Sequence, residues 1–159
     1  MNEKHTISCL VENHFGVLAR ISGLISARAF NIDSLTVSAT EDPTVSRMTI
    51  VVEADALKLE QVKRQLNRLI DVIDVQELKA GRSIDRELLL ARVPANGAAR
   101  AELEQLAKRF GGKLADAAEG SVVIEAAGDP GTLDRLVDQL RPLGITTLVR
   151  TGLVALEKQ

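Results

Sequence analysis

Hydrophobic spacing in this chain changes period in a set order, and the order occurs twice. From His5 to Glu12 the residues alternate, with Ile7, Cys9 and Val11 on one side and Thr6, Ser8 and Leu10 on the other. That is the period of a strand with one buried face. Val17, Leu18, Ile21, Leu24 and Ile25 then recur at helical spacing and predict a helix with one apolar stripe, ending near Arg28-Ala29. Strand patterns return from Ile32 to Thr40 and from Ser46 to Glu53, either side of the turn Glu41-Asp42-Pro43-Thr44. Leu59, Val62, Leu66, Leu69 and Ile70 predict a second helix over 56–69, and Val72 to Leu78 a fourth strand. A chain with this order can bury its stripes by laying both helices on one face of a four-stranded antiparallel sheet.

Beyond the polar stretch Lys79-Ala80-Gly81-Arg82-Ser83 the plan repeats. A strand over 86–93 is followed by a helix through Leu103, Leu106, Ala107 and Phe110, stopped by Gly111-Gly112. A hairpin turns at Glu119-Gly120. Asp129-Pro130 begins the last helix as an N-cap followed by proline, and one final strand spans Ile145 to Leu156. The expected class is α+β, with two ferredoxin-like βαββαβ domains at 1–78 and 85–159 joined by a linker at 79–84. Domains of this size have marginal cores and leave sheet edges and one sheet face open. Pairing of two copies into a homodimer would relieve both.

Composition removes several functions. Of 159 residues three are Phe, with no Trp or Tyr, and the net charge is −2. Nucleic-acid binding by aromatic stacking or by a basic surface is therefore not expected. No apolar run approaches the length of a membrane span or a signal peptide, so a cytoplasmic protein is the expectation. Cys9 is the single cysteine, suited to filling a core, and there are two histidines, His5 and His14. Neither a catalytic site nor a metal site is read from the sequence. It contains no HExxH, GxSxG, phosphate-loop or dinucleotide fingerprint. His14 reads most simply as a solvated loop residue, although it could touch a ligand. An acylphosphatase shares the strand order but depends on an arginine in its first loop, and Glu12-Asn13-His14-Phe15-Gly16-Val17 has none.

That loop is the strongest candidate site. A helix start leaves backbone N–H groups without internal acceptors, and the helix dipole favours an anion there. Asn13 can donate and accept, and Gly16 removes the side chain where a ligand would approach the backbone. These groups would suit the head group of a free amino acid. On spacing alone a purely structural strand-to-helix turn is the simpler reading.

Two longer stretches change the balance. V-E-N-H-F-G-V-L-A-R-I-S-G-L-I-S-A-R-A-F-N-I-D-S-L-T-V, followed by T-E-D-P-T-V-S-R-M-T-I-V-V, resembles the regulatory (small) subunit of acetohydroxyacid synthase, also called acetolactate synthase. The resemblance covers the whole chain, with R-E-L-L-L-A-R-V the main motif of the second half. The first half is similar to an ACT domain, a module that binds amino acids. Ala29 departs from the family, which often has Gly there. The resemblance implies a noncatalytic subunit without its own cofactor. Its partner would be a catalytic large subunit that holds thiamine diphosphate, Mg2+ and FAD. The small subunit would raise that partner's activity and confer feedback inhibition by valine in branched-chain amino-acid biosynthesis, with leucine and isoleucine as less separable effectors. It further implies a homodimer through the ACT domain. Asn13 and Gly16 would hold the effector head group and Val17 and Leu18 would present N–H groups. Asn31 and Ile32 would close the site from the neighbouring chain, with Leu18 and Ile32 as candidates for the apolar pocket. The alternative is an amino-acid-sensing ACT regulator of another enzyme or of transcription.

Overall fold

Ile7, Cys9 and Val11 are buried along one face of β1 (Glu3–Glu12), and α1 (Val17–Ser26) and α2 (Ala56–Leu66) pack on that face. In this computed structural model residues 3–27 and 30–159 are described. Arg28 and Ala29, where the first helix was expected to end, lie outside them. The helices present Val17, Ile21 and Ile25, and Leu59, Val62 and Leu66. Each such side chain contributes about 1.5–3 kcal/mol by leaving water. With β2 (Ile32–Ala39), β3 (Val45–Ala54) and β4 (Val72–Leu78) the first sheet has the order β2-β3-β1-β4, antiparallel throughout. Met48, Ile50 and Val52 complete the core from β3.

The second unit repeats this topology. β5 (Ser83–Pro94), α3 (Ala98–Arg109), β6 (Lys113–Ala118), β7 (Ser121–Gly128), α4 (Pro130–Leu140) and β8 (Thr147–Arg150) give the sheet order β6-β7-β5-β8. Leu89, Ala91 and Val93 of β5 meet Leu103, Leu106 and Leu136 of the helices. Arg150 bonds Glu87 and Asp134, tying β8 to β5 and α4. No helix among the described residues is long and apolar enough to cross a membrane.

Several expectations are revised. The second helix stops at Leu66 rather than Leu69. After the last helical bond, Asn67 N–H to Lys63, two tighter backbone bonds, Arg68 to Gln65 and Leu69 to Leu66, close its end. Leu69 still packs on the core from that turn, whereas Ile70 is 89% exposed. Residues 79–84 are not an open linker: Arg82 N–H bonds the Lys79 carbonyl in a turn, and β5 has begun by Ser83. The expected single last strand is broken at 151–153 into β8 and a separate β9 (Val154–Glu157). The chain divides into one unit of residues 1–84 with 153–159, and a second of residues 85–152. By contact, residues 153–159 group with the first unit, whereas the sequence reading set them in the domain at 85–159. Leu153 and Ala155 bury Val51 and Leu78, and the Thr36 hydroxyl donates to the Leu153 carbonyl at 2.8 Å. The sheet face that was expected to stand open is partly covered by the chain's own C-terminal strand.

Candidate functional site

The end of β1 feeds a four-residue loop, Asn13 to Gly16, into α1. Gly16 is the N-cap of α1 and has φ +86°, a left-handed conformation that a Cβ would strain. Lacking a side chain, it makes no side-chain cap, so the first-turn N–H groups receive none of the satisfaction that Asp55 gives α2 or Asp129 gives α4. Gly97 leaves the start of α3 uncapped in the same way. An uncapped helix start alone therefore does not single out the first loop.

Asn13 has a definite structural task. Its Nδ2 donates to the Pro43 carbonyl at 2.9 Å and its backbone N–H donates to the Thr44 carbonyl at 2.8 Å. The two stretches that carry the resemblance, around Asn13 and around Asp42-Pro43, are thereby joined. The turn is itself braced, because Asp42 Oδ1 accepts from the Thr44 hydroxyl at 2.6 Å and from its N–H at 2.9 Å. Those bonds, the hydroxyl's first, hold the Asp42 carboxyl below its ordinary range. Beside this junction is an open cavity of about 390 Å³ lined by Glu12, Asn13, His14, Thr44, Val45 and Ile73.

The other expected site residues are placed less uniformly. The Val17 side chain is buried in the core, leaving only its backbone to face a ligand, and Leu18 is half-exposed. Asn31 is exposed, while Ile32 is partly buried and packs against the core of its own unit. Within one chain these two begin β2, at the opposite end of α1 from Gly16, roughly 15 Å away for ten helical residues. One chain does not assemble all six residues into one site.

A group that the sequence reading missed lies at the same loop. Asp71, whose side chain is 8% exposed, faces His14 Nε2 with one oxygen at 3.0 Å and Arg20 with the other at 3.1 Å. Glu12 Oε2 lies 3.1 Å from the same His14 nitrogen. The backbone agrees, since Glu12 N–H donates to the Asp71 carbonyl at 2.8 Å. The Phe15 carbonyl beside Nδ1 is the largest cause raising the His14 pKa, partial desolvation opposes it, and Glu12 and Asp71 add to the rise. The pair Glu12-x-His14 was visible as two ligand-type residues two apart. Asp71, from the α2–β4 turn, carried no local signal. Arg47 of β3 is partly buried and donates to the Ser8 hydroxyl at 2.8 Å.

Two successive βαββαβ units, the first with a glycine-started helix after β1 and a hairpin turn docked on that loop, define a two-domain α+β protein with an ACT domain at its N-terminal end. The AHAS small subunit-like ACT domain family matches residues 7–74, and the small subunit of acetolactate synthase family matches residues 86–159. The chain belongs to the acetolactate synthase small subunit family. It is 48% identical to a probable acetolactate synthase small subunit of Archaeoglobus fulgidus, over 96% of each chain. To the acetolactate synthase small subunit of Mycobacterium leprae it is 44% identical, over 97% of this chain and 91% of that one. The crystal structure of the small subunit from Thermotoga maritima superposes with a TM-score of 0.91 at 30% identity, covering 99% of this chain and 98% of the other.

Proposed function

We propose that this chain is the noncatalytic regulatory subunit of a cytoplasmic acetolactate synthase. In this reading it activates a thiamine-diphosphate-dependent catalytic subunit and confers feedback inhibition by valine. The catalytic chemistry, with Mg2+ and FAD, belongs to that partner. The observation that carries the effector reading is the Gly16 helix start, free of any side-chain cap and next to the Asn13 junction and its cavity. A zwitterion needs N–H donors for its carboxylate and an oxygen for its ammonium. Val17 and Leu18 N–H serve the first, while Asn13 Oδ1 or a backbone carbonyl serves the second, leaving Asn13 Nδ2 on Pro43.

In this reading Asn31 and Ile32 come from the neighbouring chain, which is consistent with their lying at the opposite end of α1 from Gly16 within one chain. The homodimer forms through the ACT domain, where β2 is an edge strand paired, among the described residues, only to β3. Valine bridges the two chains and biases the dimer toward a state that holds the catalytic subunit less active. A coupling of ~1–3 kcal/mol gives a 5- to 150-fold response. Leucine and isoleucine differ from valine by methylene-scale changes worth only ~1–3 kcal/mol in such a pocket.

Calorimetric titration of the purified chain with L-valine, with D-valine as control, tests the site. Saturable binding of the L-form alone supports it. If L-valine fails to bind both alone and with catalytic subunit present, the effector reading of the Asn13–Gly16 loop is wrong.

A further inference from the structure

We propose that Glu12, His14 and Asp71 form a binding site for a first-row divalent metal ion such as Zn2+. The argument begins at the imidazole. His14 Nδ1 lies 3.1 Å from the Phe15 carbonyl, and a carbonyl oxygen only accepts, so Nδ1 carries the hydrogen. In neutral imidazole the lone pair is then on Nε2. That lone pair faces two carboxylate oxygens, Glu12 Oε2 at 3.1 Å and Asp71 Oδ1 at 3.0 Å. Three such atoms converging on one point are held together either by a proton on Nε2 or by a metal ion between them.

A proton on Nε2 is shared between two oxygens, whereas a divalent ion is coordinated by all three atoms at once; with Arg20 also on Asp71, geometry rather than charge favours the ion. The spacing fits such an ion: the three ligand atoms lie within 4.8 Å of one another. Ligands at ~2.0–2.1 Å in a tetrahedral shell stand roughly 3.3 Å apart. The surroundings are those of a metal ligand set. The Phe15 carbonyl orients the imidazole through its other nitrogen, and Arg20, 3.1 Å from Asp71 Oδ2, fixes the carboxylate from its far oxygen. Asp71 is held nearly buried, while Glu12 and His14 are about half-exposed, leaving a solvent-facing fourth position for water or another donor. One imidazole with two carboxylates suits a borderline ion better than Cu+ or an iron–sulfur cluster.

The test uses the full chain, stripped with chelator, at about pH 8, above the ordinary imidazole range. Zn2+ is titrated calorimetrically and Co2+ is followed by its visible d–d bands. One ion per chain is expected, with Glu12→Gln and His14→Gln each weakening binding by at least about tenfold, the scale of losing even an outer-shell partner. Both residues are exposed enough for the variants to fold, which circular dichroism checks. His5→Gln, at the separate His5–Glu77 pair, should bind as the parent does. Absence of stoichiometric binding, or His14→Gln binding as tightly as the parent, overturns the proposal. So does an imidazole NMR spectrum in which Nε2 stays protonated as Zn2+ is added.

Discussion

Gly16 concentrates two demands on one backbone position: a left-handed φ of +86° and an open approach to the start of α1. The nearest atom to an added Cβ is the tip of Arg20 at 3.8 Å, so the objection to a side chain is conformational rather than steric. Gly16→Ala should therefore cost about 1–2 kcal/mol in denaturant unfolding and only weaken valine binding. Gly16→Asp adds a carboxylate where the proposed site would place the effector carboxylate. It should abolish valine binding and inhibition while leaving activation of the catalytic subunit largely intact; loss of both together would count against a dedicated effector site.

Cys9 makes the opposite kind of residue-scale prediction, because it is inert. Burial, with Asp74 adding, pushes its thiol from an ordinary 9.0 up to about 12. The unfolded thiol ionises near 9 and the folded one not until about 12. Its contribution to stability is therefore complete below about pH 9 and is lost progressively as pH rises toward 12. The urea midpoint should fall faster over that window in the parent than in Cys9→Ala. At neutral pH a thiol reagent should label Cys9 only on unfolding. Cys9 was legible as core from its place in an alternating strand, whereas Asp71 was not. A buried carboxylate whose partners arrive from β1 and α1 leaves no pattern among its own neighbours.

Among the elements, strands and helices were legible wherever one face is buried along their whole length. The two helix ends that carry glycine or tight turns show where pattern runs out. Leu69 and Ile70 continue the apolar spacing of α2, yet the backbone tightens after Leu66 and turns Ile70 into solvent. After α3, Gly111 and Gly112 look equivalent in sequence and are not. A Cβ on Gly112 would sit 2.5 Å from the Glu125 carbonyl and 3.0 Å from Ala126 Cβ, whereas Gly111, at φ +72°, has nothing within 4 Å. Gly112→Ala should thus destabilise the second unit by about 1–3 kcal/mol, the usual range for overpacking. Gly111→Asn, a residue that tolerates left-handed φ, should cost less than about 1 kcal/mol. Urea unfolding of the two variants compares them, and equal losses would contradict this packing of β7 against the end of α3.

For the whole molecule, the consequential element is the last one. β9 returns to the first unit, where Leu153 and Ala155 cover Val51 and Leu78, and Lys158 N–H donates to the Arg82 carbonyl at 2.9 Å. Leu153 is 5% exposed, so Leu153→Ala should cost ~2–4 kcal/mol as a buried truncation. Hydrogen exchange should quicken in β3, in β4 and where β5 pairs with β9 before it does in β6–β8. Uniform acceleration across both units would argue that β9 does not belong to the first. This cover also narrows the case for a dimer. A wholly bare sheet face no longer supports a second copy; the proposed dimer rests instead on the edge position of β2 and on the proposed sharing of the effector site between chains.

Periodicity by itself determined the order of the elements, the face of each that is buried, and hence the two ferredoxin-like units, because burying one apolar stripe per element leaves few arrangements. The stretches around Asn13 and Asp42-Pro43 likewise carried the family. Only the tertiary structure joined those stretches through the Asn13–Pro43 bond, brought Asp71 to His14, and laid the C-terminal strand against Val51 and Leu78 of the first sheet. Each of these is a contact between residues far apart in the chain. Such contacts are set by how the sheets and helices pack, and no local spacing records them.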